Sequence, residues 1–127
     1  MKAIYPALFH KEEESFWVEF PDLEGCVSYG STIAEALANA QEALSVYCVT
    51  LLEEKRLLNP ATDIKSIDVP DDAFSTLIEA NLIPKSKAVK KTLTIPSWLN
   101  DIAESKNINF SSTLQNALVQ ELGLIVN

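Results

Sequence analysis

The sequence predicts an α+β protein in two parts: a βββαβ domain over residues 1–82, then a linker at 83–87 and a strand-helix-helix domain over residues 88–127. Three observations predict it. Apolar residues alternate with period two in short segments of the first part, and recur at spacings of three and four along one longer segment. Charge is also divided unequally. The net charge is −8. Residues 1–84 carry five basic and 15 acidic side chains, a balance of −10, whereas residues 85–127 carry five basic and three acidic ones, a balance of +2. An acidic body with a mildly basic end suggests a cationic partner for the first and a polyanion for the second.

At 127 residues and 47% hydrophobic, the composition is that of a globular protein. No run of about 18 apolar residues suggests a membrane span, and Met1 to Pro6 do not begin a signal sequence. A soluble, cytoplasmic protein is expected. The two cysteines, Cys26 and Cys48, lack Cys-x-x-Cys spacing and have only His10 as a further soft ligand. Buried free thiols are expected, with no metal and no cofactor.

Residues 2–9 and 15–20 are short, aromatic and β-branched, separated by the charged turn Lys11-Glu12-Glu13-Glu14, and read as a hairpin. Phe16, Val18 and Phe20 share one strand face, Trp17 and Glu19 the other. Pro6 has no amide to donate, so it belongs at an edge or a bulge. Pro21 to Gly25 form a turn cluster, and Cys26 to Tyr29 a third strand. Thr32 and Glu35 have capping-box spacing. From there Ile33, Ala36, Leu37, Ala40, Ala43, Leu44, Tyr47 and Leu51 mark one face of a helix of about 23 residues. Residues 73–80 read as a fourth strand.

Tyr5-Pro6-Ala7, Phe20-Pro21-Asp22-Leu23-x-Gly25-Cys26 and Gly30-x-Thr32-x-x-Glu35-Ala36-Leu37-Ala38-Asn39-Ala40-x-Glu42-Ala43-Leu44 resemble, in this order, the N-terminal domain of HicB antitoxins. The resemblance covers most of residues 3–54. It implies a reduced ribonuclease-H-like sandwich and, as partner, a HicA-like toxin, a small basic protein that cleaves messenger RNA. The acidic balance of the first part suits such a partner.

In the second part, residues 86–96 alternate polar and apolar residues up to Pro96, reading as a strand that enters a helix with proline in its first turn. Leu99, Ile102 and Ala103 mark that helix, Asn107-Ile108-Asn109 ends it, and Asn109 is placed to cap a second helix bearing Leu114, Ala117, Leu118 and Leu122. So small a unit, with a lone strand, needs a partner, and a second copy is the simplest one. The order of elements over 88–123 is similar to the ribbon-helix-helix fold, in which two strands pair across a two-fold axis and enter the DNA major groove. That resemblance implies a homodimer bound to operator double-stranded DNA and repression of the protein's own operon. Alternation then points Lys90, Thr92 and Thr94 at base edges, with Leu93 and Ile95 inward. Asn109, Phe110, Ser111 and Ser112, at a helix N-terminus, are candidates for a DNA phosphate.

Other residues admit plainer readings. Asp22 and Glu24 are candidates for toxin contact or an ordinary polar turn. Glu12 to Glu14 read as a solvated hairpin tip, His10 as a solvated strand end, and Trp98 as a packing residue. A nuclease would need several converging carboxylates, and only Asp22, Glu24 and Glu35 lie near strand ends, so no enzyme is expected. The alternative is a stand-alone repressor whose N-terminal domain senses a small molecule.

Overall fold

The computed structural model describes residues 2–82 and 87–123. Of the expected linker at 83–87, only Lys87 lies within them. A four-stranded antiparallel sheet is built from β1 (Lys2–Glu12), β2 (Ser15–Glu19), β3 (Val27–Gly30) and β4 (Ala73–Asn81), in the order β3-β2-β1-β4. Helix α1 (Ile33–Glu53) follows β3, and a 3-10 turn at Ile64–Ser66 precedes β4.

The β1–β2 connection is tighter than expected. Lys11 and Glu12 belong to β1, Glu12 faces Ser15, and Glu13-Glu14 alone make the turn, with Glu13 at φ 57°. Pro6 lies in a strand with neighbours on both sides, yet the β2 ladder spans only Leu8 to Glu12. Pro6 therefore sits where β1 is one-sided, and its missing amide breaks no bond to β2.

Register assigns the two sheet faces. Ala3, Tyr5, Ala7 and Phe9 of β1, Val18 of β2, and Ile78 and Ala80 of β4 share the face beneath α1, and all are buried. From α1 the sheet receives Ala36, Ala40, Leu44 and Cys48, each fully buried, with Tyr47 and Leu51 half-buried beside them. The stripe is thus narrower at its start than expected: Ile33 and Leu37 are exposed. The helix has 21 residues, and Thr32 caps it by accepting the amide of Glu35 at 3.1 Å. Its end turns on Lys55 at φ 60°, where the amide of Arg56 reaches the Leu51 carbonyl at 2.9 Å, closing a Schellman turn with lysine in place of glycine.

Polar side chains of α1 fasten it to both edges of the sheet. Asn39 donates to the Tyr29 carbonyl of β3 at 2.8 Å, while Gln41 and Ser45 donate to the Glu79 and Asn81 carbonyls of β4 at 2.6 and 3.0 Å. These bonds occupy carbonyls that would otherwise be free at a strand edge.

Residues 87–123 contain α2 (Ser97–Ser105) and α3 (Phe110–Glu121). Residues 87–95 are not a strand, contrary to expectation, because a strand is defined by a ladder and none of the described residues pairs with them. Pro96 is the cap of α2 rather than a residue of its first turn. Asn107, at φ 54°, ends α2 through the same 6→1 bond as in α1, from the Ile108 amide to the Ala103 carbonyl at 3.1 Å. Asn109 caps α3 as expected, its Oδ1 accepting the Ser112 amide at 3.0 Å. No described residue from 87 to 123 is buried.

Candidate functional site

Apolar residues spaced as a core but exposed to water define the C-terminal surface. Val89 is 84% exposed and Leu93 58%, and Ile95, Trp98, Leu99 and Ile102 are also exposed. So many exposed apolar side chains in one short segment mark an interaction surface. Lys90, Thr92 and Thr94 are exposed on the same stretch. At α3 the four residues expected to meet a phosphate divide. Asn109 and the Ser112 amide are bound to each other, and the Ser111 hydroxyl accepts from Gln115 at 3.1 Å. The amides of Phe110 and Ser111 remain at the positive end of the helix, where no preceding carbonyl can reach them.

Asp22 and Glu24 flank the β2–β3 turn but are not equivalent. The Asp22 carboxylate accepts both the backbone amide of Thr62, at 2.9 Å, and its hydroxyl, and the Asp22 carbonyl accepts from Asn59 at 3.0 Å. Tyr5 completes the lashing by donating to the Asn59 carbonyl. Asp22 thus holds the segment after α1 against the sheet. Glu24 is exposed, and its carbonyl accepts from Tyr47 at 2.9 Å. Glu35 stands apart from both, in the first turn of α1. Among the described residues no group of three His, Cys, Asp or Glu side chains is arranged to hold a metal ion.

The sheet face opposite α1 was not singled out as a site by sequence reasoning. Register sets His10, Trp17 and Tyr29 side by side across β1, β2 and β3. His10 stacks on Trp17 with ring centroids 4.0 Å apart and planes 12° from parallel. It is therefore not a solvated strand end: its side chain is only 15% exposed. Its Nε2 lies 3.2 Å from Glu19 Oε2, close enough for an ion pair but without the alignment of a hydrogen bond. A shallow groove of about 550 Å³ runs here, lined by His10, Lys11, Glu12, Trp17, Tyr29 and Asp72. Period two had placed Trp17 and Glu19 on one face; only the pairing of three strands brings His10 and Tyr29 to them.

Both cysteines are free and buried. Burial pushes the Cys26 thiol up to about 11, and burial followed by the proximity of Cys26 pushes Cys48 up to about 12. Neither is a thiolate at neutral pH. Both values lie above the ordinary 9.0, so the unfolded chain ionises first. The thiols' contribution to stability is complete below pH 9 and is lost as the pH rises through 11 to 12. The expected result is that a disulfide reagent at pH 8 labels neither thiol in the native protein and both after denaturation. Rapid labelling of the native protein would show these side chains to be accessible.

The chain matches the family described as the HicB-like antitoxin of bacterial toxin-antitoxin systems over residues 5–117. It is 27% identical over 121 residues to Antitoxin HicB 2 of Photorhabdus laumondii, covering 90% of this chain and 87% of that protein. A chain of a toxin-antitoxin complex from Streptococcus pneumoniae is 29% identical with a TM-score of 0.62, over 95% of this chain and 99% of that one. A chain of a HicA3 and HicB3 toxin-antitoxin complex is 33% identical with a TM-score of 0.52, over 61% of this chain and 98% of that one.

Proposed function

Because the chain belongs to the HicB-like antitoxin family, we propose that it neutralises a HicA-like toxin through residues 1–82 and represses its own operon through a dimeric ribbon-helix-helix over residues 88–127. Support for the first half comes from the similarity to chains found in toxin-antitoxin complexes, together with the balance of −10 over residues 1–84. An acidic surface raises the encounter rate with a basic ribonuclease and disfavours nucleic acid as a competitor.

One observation carries the second half: no described residue from 87 to 123 is buried, although the segment is patterned as a core. Pairing residues 88–95 with the same strand of a second copy supplies the missing ladder and covers Leu93 and Ile95 at once. Lys90, Thr92 and Thr94 then face outward on a two-stranded ribbon. Lysine donates to guanine O6 and N7, and threonine bonds a base edge or touches a thymine methyl. The Phe110 and Ser111 amides of α3, with the hydroxyls beside them, hold a backbone phosphate, which orients the ribbon without reading sequence. Toxin and operator binding are linked through one chain, so any effect of one on the other is reciprocal.

The test of the first half is growth. Cells expressing the small open reading frame next to the gene for this chain are expected to arrest and to recover when this chain is supplied from a second plasmid. Arrest that persists in the presence of the folded protein would overturn the antitoxin reading.

A further inference from the structure

We propose that the open face of the sheet, centred on the His10–Trp17–Tyr29 row, is the docking surface for a basic protein partner and takes an arginine side chain of that partner into its groove. The proposal rests on the antitoxin reading and names the surface that carries it out. Helix α1 covers one face of the sheet; on the other face Pro6 and Leu8 are buried, while the end that carries Tyr29 and Val27 is open to water. Along that face Tyr29 is 67% exposed and Val27 46%, both on β3, and Leu77 of β4 is exposed on the far side.

The chemistry of the row selects the occupant. Aromatic rings present electron-rich faces, and a guanidinium is the side chain that stacks on them while still donating in its own plane. Donors need acceptors at the rim, and Glu12, Glu19 and Asp72 stand there against Lys11 alone. Glu19 is 35% exposed and its only ion pair among the described residues is with His10, whose Nε2 is poorly aligned to it. An incoming arginine offers Glu19 a planar, bidentate partner, a stronger arrangement than the one it has. Nucleic acid is disfavoured on the same ground, because the three carboxylates repel phosphate. The stacked pair gives the surface rigidity: Trp17 is held by His10 before any partner arrives, which reduces the side-chain ordering that binding costs.

The loop bearing Asp22 and Glu24 is a weaker candidate for this role. The Asp22 carboxylate is already bound twice by Thr62, so a partner would have to break an internal contact to use it.

The experiment measures binding of the full chain to a cleavage-deficient form of the HicA-like toxin that it protects against in the growth test, by calorimetry at low and high salt. Tyr29→Ala is expected to weaken binding about 30-fold, the size of an aromatic hot spot, while Tyr29→Phe stays near wild type. Glu19→Gln is expected to weaken binding and to flatten its salt dependence. Glu24→Gln is expected to change little. Tyr29 is exposed, so its replacement leaves the core intact; equal circular dichroism and melting curves verify this. Wild-type binding together with unchanged affinity in Tyr29→Ala and Glu19→Gln overturns this surface and leaves the antitoxin reading standing. No binding by the wild-type chain overturns both.

Discussion

A methyl group added at Gly30 is expected to unfold the sheet-and-helix core, with a cost above about 4 kcal/mol. Gly30 ends β3 two residues before the cap of α1, and a Cβ there would lie 2.2 Å from the Ala36 amide nitrogen and 2.5 Å from the Ala36 Cα. Both contacts are backbone, so no rotamer change relieves them. Relief requires α1 to lift off β3, which would uncover Ala36, Ala40 and the Cys26 side chain together. Gly25 supplies the control. It sits at φ 81° with open space around its Cβ position, so Gly25→Ala carries only the cost of a left-handed alanine, about 1 kcal/mol. Thermal melting followed by circular dichroism is expected to show Gly30→Ala far below Gly25→Ala, and Gly30→Ala is expected to lose relief of growth arrest. Equal melting temperatures would mean that α1 does not approach β3 this closely.

If residues 88–95 form the proposed dimeric ribbon, replacing Leu93 and Ile95 together by lysine is expected to leave the chain monomeric and to lower affinity for the proposed operator about 10³-fold, to the nonspecific level. In the single chain these side chains are 58% and 46% exposed, so the substitution removes nothing that holds the monomer together. In the proposed ribbon they meet their symmetry mates, and four lysines at the centre of a two-stranded ladder cannot be desolvated. Sedimentation reads the oligomeric state. Replacing Thr92 and Thr94 by alanine makes the contrast: the dimer persists and the preference among operator sequences relaxes by about 1–3 kcal/mol for each productive base contact. A dimer that survives the lysine pair would place the two-fold contact elsewhere.

These two substitutions act on opposite ends of the chain for one physical reason. Within residues 2–82 a core is buried between α1 and the sheet, so a steric fault there is a folding fault. From 87 to 123 no described residue is buried, so a fault at its exposed apolar residues is expected to be an assembly fault. The division of charge runs in parallel with this division of packing.

Local chemistry was legible in the sequence wherever it depends on neighbours along the chain. Thr32 and Asn109 cap helices as their spacing predicts, the four strands and three helices fall near their expected positions, and the buried thiols follow from apolar surroundings. The motifs from Tyr5 to Leu44 resembled the family to which the chain belongs. Only the tertiary structure decided what depends on register and on closure. It turned His10 from a solvated strand end into one member of a stacked row, because whether β1 sets it beside Trp17 is a matter of strand pairing that periodicity does not contain. It made Asp22, which the sequence offered as a toxin contact or a polar turn, the anchor for Thr62, 40 residues away in the chain. It withheld the strand expected at 88–95, since a sequence pattern describes the faces of a strand but a ladder exists only when a second backbone is present to complete it.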